Sequence, residues 1–289
     1  HHTTKRHPYM QAIRHYLLAV QFFTRIPVSG QLADWVGFSP AMLRASAAHF
    51  PGVGWLVAVI AAASFGAISC LLGPQQTFTP LVAAVLSTIV TVMATGGFHE
   101  DGLADVADGL GGGYQRERVL EIMKDSRIGA FGAMALVLAF TAKFALLAQL
   151  GSQGLAIALW SLLGGHVVSR FWPLIAVRTL PHVGDTATSK SKPLADQITM
   201  GALITALLWC VVPVLLVALA LGWQAALAAI VCSGIGAGWM LWRFNKRLQG
   251  FTGDCLGTIQ QVSEIAFYLG VAIVAGQQGI TPVLPWQAL

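Results

Sequence analysis

Long stretches of the chain are continuously apolar, with none of the residue-by-residue alternation that a half-buried strand needs. Runs of the length that crosses a hydrocarbon core, about 20 residues, fall near 50–72, 79–97, 129–150, 155–178, 198–221, 225–242 and 258–276. They predict seven transmembrane helices in a single membrane domain covering 1–289, an all-α polytopic bundle. An outer-membrane barrel would alternate polar and apolar positions instead. The segment from Tyr9 to Val28 differs, because Arg14, His15 and Arg25 interrupt Leu17, Leu18, Val20, Phe22, Phe23 and Ile26. That pattern predicts an interfacial amphipathic helix over 9–28, ended by Pro27. Residues 1–8, which open with His1 and His2, read as a disordered tag remnant.

Composition sharpens this reading. Hydrophobic residues make up 56% of the chain and charged residues 10%, against roughly 25% charged in a soluble domain. A net charge of +5 could indicate nucleic acid, but the 17 Lys and Arg are dispersed without aromatic interleaving, so no nucleic-acid partner is expected and the bases read as topological. Only Lys143 and Arg170 lie within spans. The other 15 fall in alternate loops, while 73–79, 151–154 and 222–224 carry no charge. The positive-inside rule makes the charged side cytoplasmic and predicts an inner (cytoplasmic) membrane protein with its N-terminus inside. Cys70, Cys210, Cys232 and Cys255 form no CxxC pair, so neither a zinc site nor a disulfide framework is indicated.

The chemistry concentrates in GGFHEDGLADVADGLGGG, residues 96–113, where Glu100, Asp101, Asp105 and Asp108 follow directly on the second span. On a helix, Asp101, Asp105 and Asp108 project within about 60° of one another. Carboxylates so gathered repel unless a cation lies between them, and hard oxygen donors suit Mg²⁺ best, with Mn²⁺ or Ca²⁺ also open. The glycine density around them would let a bulky ligand approach the backbone. His99-Glu100 is not part of an HExxH zinc motif. Further along, EIMKDSRIGAFG places Asp125 and Ser126 where they either cap the next helix or meet a ligand, and Arg127 where a guanidinium could clamp a phosphate.

Within the spans, Lys143, His166, Arg170 and Glu264 are costly to bury and must face a cavity or one another; Arg170 with Glu264 is the expected pair. In the last charged loop, TGDCLGTIQQVSE repeats the glycine-and-acid theme. Asp254, Thr258 and Gln261 share one face of the helix entering span seven. The cytoplasmic ends of spans two and seven are therefore expected to close on each other, with Asp254 joining the acids.

These segments together resemble the adenosylcobinamide-GDP ribazoletransferase family, also called cobalamin-5′-phosphate synthases, which are membrane enzymes. The matching pieces are FFTRIPV (22–28), FPGVG (50–54), GGFHEDGLADVADG (96–109), EIMKDSRIGAFG (121–132), Ser169-Arg170 and TGDCLGTIQQVSE (252–264). Many relatives carry Leu where Glu100 stands. Phe251 alters the glycine-rich approach to Thr252, and Lys190 and Lys192 in TSKSKP have no clear counterpart.

The resemblance implies a transferase. The hydroxyl of α-ribazole, or of its 5′-phosphate, attacks the cobinamide-linked phosphorus of adenosylcobinamide-GDP and GMP leaves. It implies Mg²⁺ held by Asp101, Asp105 and Asp108. Asp108 or Glu100 would act as the base, and Asp254 and Arg127 would also be catalytic. His99, Lys124, Asp125, Ser126, Arg170, Thr252 and Gly253 would meet substrate. Partners are then the two substrates and the lipid bilayer, with a homo-oligomer left open. Two other classes remain. A CDP-alcohol phosphotransferase also uses spaced aspartates, but its DGxxAR element is unmatched after Asp108-Gly109. A transporter would explain Lys143, Arg170 and Glu264, but its site would lie near the bilayer midplane.

Overall fold

The structure is a computed structural model and describes residues 8–184 and 198–281. Residues 1–7 of the expected tag remnant, together with Lys190 and Lys192, lie outside the described residues. The described chain is helical throughout: α1 (Pro8–Phe23), α2 (Gly30–Val36), α3 (Pro40–Ser46), α4 (Phe50–Leu72), α5 (Thr79–Thr95), α6 (Phe98–Gly112), α7 (Arg116–Lys124), α8 (Ala130–Gln153), α9 (Leu155–Val168), α10 (Trp172–Thr179), α11 (Met200–Leu221), α12 (Trp223–Leu248) and α13 (Gly253–Gln278). Its one extended pairing is an isolated bridge, His182 to Phe251. Phe251 is fully buried there, and its N–H and carbonyl bond the 181–183 loop. The unusual residue before Thr252 thus anchors the turn into α13.

Among the described residues, six segments are long and apolar enough to cross a membrane: Pro40–Leu72, Ala130–Gln153, Leu155–Thr179, Met200–Leu221, Trp223–Leu248 and Gly253–Gln278. A seventh exists if α5 and α6 are counted together, although the pair bends by 92°. Gly96 and Gly97 make the bend at φ of +76° and +68°, a conformation that costs glycine nothing. The Arg25 side chain fills the space where a Gly96 side chain would sit. We read α5 as the crossing and α6 as a helix lying across the bundle end. Arg25 also corrects the expected extent of α1, which ends at Phe23 rather than running to Pro27. The Arg25 N–H bonds Ala94 O at 2.7 Å, so the chain leaves the helix to join the end of α5.

A bilayer offers no water to a backbone group freed by a helix break. Pro213 in α11 cannot donate to Trp209 O, and Trp55 Nε1 of α4 donates to that carbonyl at 2.9 Å instead. Leu138, Leu208, Leu215 and Leu219 stay exposed on the outer faces. The central helix is α13, which packs on α6, α8, α9, α10 and α12. Gly270 lets α13 lie directly against the backbone of Ala228 and Ala229 in α12, the small-residue contact typical of membrane helices.

The buried charge of α13 corrects a second expectation. Glu264 pairs with Lys143 of α8, Oε2 to Nζ at 2.7 Å, and Tyr268 and Gln260 also donate to it. Arg170 instead donates to His166 O at 2.9 Å, with its guanidinium carbon 5.9 Å from the Phe50 ring centre. Charge pairing alone left Arg170 and Lys143 both open to Glu264, and the packing of α8 on α13 brings the lysine to it. A double-mutant cycle on thermal unfolding in detergent should give Lys143→Met and Glu264→Gln a coupling of about 1–3 kcal/mol, the scale for residues in one network. A larger coupling between Arg170→Met and Glu264→Gln would restore the pairing read from sequence.

Candidate functional site

The acids converge where α6 crosses the start of α13. The crossing is a backbone contact: a Cβ on Gly102 would lie 2.9 Å from Asp254 O, and one on Gly257 would lie 3.0 Å from His99 Cα. Thr258 Oγ1 spans the joint, donating to Asp254 O at 2.9 Å and lying 3.3 Å from Gly102 O. These glycines, with Gly109 against Val119 and Met123 and Gly111 against Phe131, face protein rather than open space. The sequence expectation that they clear room for a ligand gives way to close helix packing. Arg247 of α12 donates to Gly113 O and fixes the far end of α6.

One carboxylate oxygen from each of Asp101, Asp105 and Asp254 lies within 4.8 Å of the others. The ends of spans two and seven thus meet as their sequences suggested. The nearest charges acting on Asp254 are those of Asp105 and Asp101. Burial, and then the charge of Asp101, push the Asp105 carboxyl above its ordinary range. Three like charges gathered among oxygen atoms fit a hard divalent cation.

Asp108 is placed elsewhere. Its two oxygens accept the N–H groups of Gly129 and Gly132, each at 2.7 Å. It thereby caps α8, whose own N-cap residue, Gly129, has no side chain to do so. The helical projection grouped Asp108 with Asp101 because it ignores axial rise; seven residues advance about 10 Å along the axis. Asp125 and Ser126 therefore do not cap α8. Asp125 accepts from the Arg127 side chain and N–H, which holds its carboxyl down to about 2. Arg127 is 87% exposed and turned onto its own loop, and Ser126 is exposed beside it. Glu100 points inward, 3.4 Å from Gln261 Nε2, with its other oxygen buried. Arg170 lies behind the Phe50 ring.

Beside the three acids opens a cavity of about 530 Å³ whose lining includes His99, Lys124, Thr252, Gly253 and Asp254. Its remaining walls are largely apolar, with Phe22, Phe23, Phe50 and Phe98 prominent. In the sequence, FFTRIPV and FPGVG stand out as family-like segments whose phenylalanines are assigned no site role. Their recurrence at and beside the ends of spans was the available signal.

Fold and site define a multi-pass helical membrane protein with a carboxylate cluster beside an aromatic-walled cavity at one end of the bundle. The chain matches the family described as Cobalamin-5-phosphate synthase over residues 15–272, and it belongs to that family. It is 61% identical to a protein of Polaromonas sp. (strain JS666 / ATCC BAA-500) named adenosylcobinamide-GDP ribazoletransferase, over 92% of this chain and 99% of the relative. Proteins of the same name from Albidiferax ferrireducens and Vibrio cholerae are 57% and 38% identical, over 91% and 88% of this chain and 99% and 91% of theirs. No solved structure matches.

The two roles of the aspartates separate experimentally. In EDTA, Asp101→Asn and Asp105→Asn should hold or raise the melting temperature, since each removes one of three repelling charges. Asp108→Asn should lower stability by about 1 kcal/mol or more, because one acceptor of an α8 N–H becomes an amide donor. An Asp108 variant that melts like wild type while Asp101→Asn melts early would exchange the assignments.

Proposed function

We propose that the protein transfers the phosphate-linked corrinoid of adenosylcobinamide-GDP to α-ribazole or its 5′-phosphate, giving adenosylcobalamin or its 5′-phosphate and GMP. Family membership and the names of the relatives support the overall reaction. The observation that carries the chemistry is the meeting of Asp101, Asp105 and Asp254 beside a cavity that Asp254 also lines.

The acceptor hydroxyl oxygen forms a bond to the cobinamide-linked phosphorus. The bond from that phosphorus to the bridging oxygen breaks, and GMP departs with the electron pair. Mg²⁺ held by Asp101, Asp105 and Asp254 would neutralise the diphosphate and the charge developing on GMP. Asp254, shared by the cluster and the cavity, accepts the hydroxyl proton. This role passes from Asp108, whose oxygens are both engaged by α8, and from Glu100, which faces inward. Asp108 is a positioning residue that ties α6 to α8. Lys124 offsets phosphate charge at the cavity mouth, and the N-terminus of α13 at Thr252 and Gly253 adds its favourable dipole. The site faces the cytoplasm of a bacterial inner membrane, a reading supported by the dispersal of bases into alternate loops.

Full-length protein in detergent, given adenosylcobinamide-GDP, α-ribazole 5′-phosphate and Mg²⁺, should release GMP and form cobalamin phosphate. Absence of both products from well-folded protein would overturn the reading. Asp254→Ala should reduce turnover by at least ~100-fold, the scale of a lost general base, whereas near-normal turnover would remove it from the mechanism. Single cysteines at Gln75 and Gln115 should label from opposite faces of intact spheroplasts; labelling from one face would reject the assigned sidedness.

A further inference from the structure

The cavity wall has an organisation that the acids do not explain. Five rings from three helices form a closed circuit: Phe22 to Phe23 at 4.9 Å between centres, Phe23 to Phe50 at 4.3 Å, Phe50 to His99 at 5.6 Å, His99 to Phe98 at 5.5 Å and Phe98 to Phe22 at 6.3 Å. All five line the cavity. From α7 and α10 the lining adds the apolar Leu120, Met123, Leu174 and Val177, together with Lys124. His99 is 2% exposed, and its Nε2 is buried with no hydrogen-bond partner among the described residues. A volume of about 530 Å³ suits a nucleoside-sized group rather than a whole corrinoid.

We propose that this cavity is the subsite for the base of the acceptor nucleoside, and that it selects a planar, largely apolar bicyclic ring of the benzimidazole type. The inference rests on the reaction proposed above and adds which half of which substrate the cavity takes. Aromatic faces stack on any flat base, so the choice among bases falls to their edges. Guanine carries donors and acceptors along its whole edge, which the aliphatic lining residues would leave unpaired at a free-energy cost, so its pairing would fall to the few polar lining groups such as Lys124, Thr252 and Asp254. Asp254, the one carboxylate among the described lining residues, is already gathered with Asp101 and Asp105. A benzimidazole nucleoside presents a hydrocarbon edge to the α7 and α10 wall and one free ring nitrogen, the kind of partner that His99 Nε2 lacks. Asp254 both lines the cavity and joins the acid cluster, so a base seated here leaves its ribose hydroxyl on the side of the acids, where the reaction requires it.

The test is binding, which needs no turnover. Full-length protein in nanodiscs is titrated with α-ribazole, and separately with GMP plus Mg²⁺, for wild type, Phe98→Ala and Leu174→Trp. Phe98 is 42% exposed, so its truncation removes a ring without opening the core; Leu174→Trp fills the cavity and is used if it remains monodisperse. Both variants should weaken α-ribazole at least ~10-fold, as loss of a stacking ring does, and change GMP binding by less than about twofold. Phe98→Ala should likewise raise KM for α-ribazole and leave KM for the corrinoid donor unchanged.

Selective loss of GMP binding would make the cavity a guanine subsite, and unchanged binding of both probes would leave it to a lipid chain; either result overturns the proposal. Wild-type protein that binds α-ribazole in this way but forms no product would sink the reaction and spare the subsite. Product formation with α-ribazole binding indifferent to both variants would do the reverse.

Discussion

The backbone contact between α6 and α13 is the constraint on which the functional end of the molecule depends. Gly102 lies against Asp254, and Gly257 lies against His99. Any side chain at either glycine would push the helices apart. That one crossing fixes the separation of Asp254 from Asp101 and Asp105, and it seats His99 in the aromatic circuit. Acid cluster and cavity are therefore two faces of a single joint. The 92° bend at Gly96 and Gly97 exists in service of it, since a straight continuation of α5 would carry the acids away from α13.

A joint carrying three like charges would open unless held from outside, and the holding comes from three directions. Asp108 ties α6 to the first turn of α8 through two N–H groups. Arg247 ties the C-terminal end of α6, at Gly113, to α12. Beneath the joint, Gln261 lies 2.7 Å from Gln260 Oε1 and 3.4 Å from Glu100, while Gln260 reaches both Ser169 and Glu264. This chain of side chains runs from the acidic helix into the membrane interior. Such networks are costly when incomplete, and this one ends in the Lys143–Glu264 pair, where the buried charge is matched.

Much of this was legible in the sequence, because apolar run length sets the spans and acids crowded after a span are rarely idle. The pairing of Asp254 with the α6 acids was also legible, since both lie in glycine-rich helix starts on the same side. What failed did so for geometric reasons. A helical projection gives azimuth without height, so Asp108 was grouped with residues from which it is separated along the axis. Arg127 was assigned by charge complementarity, which says nothing of the nearer Asp125 in its own turn. Glu264 was given Arg170 rather than Lys143 because neither residue's depth or neighbour is encoded in local spacing. The phenylalanines of α1, α4 and α6 lie far apart in the chain and acquire meaning only when three helices bring their rings together.

The two sets of buried or half-buried acids differ in what surrounds them, and that difference separates structure from chemistry. Glu264 has a lysine at 2.7 Å and two neutral donors, Tyr268 and Gln260, so its charge is compensated within the protein. Asp108 has two backbone N–H donors at a helix start, which serve a carboxylate equally well. For Asp105 and Asp254, the strongest charges acting are those of their fellow carboxylates. A fold that supplies partners to Glu264 and Asp108, yet assembles these acids with repelling neighbours through a glycine crossing, tolerates a standing electrostatic cost at this place. Backbone contacts at Gly102 and Gly257 hold the helices carrying the three acids together, and a cation or protons from the solution would relieve their repulsion. That dependence makes the end of the bundle responsive to what binds there, while the Lys143–Glu264 interior stays fixed.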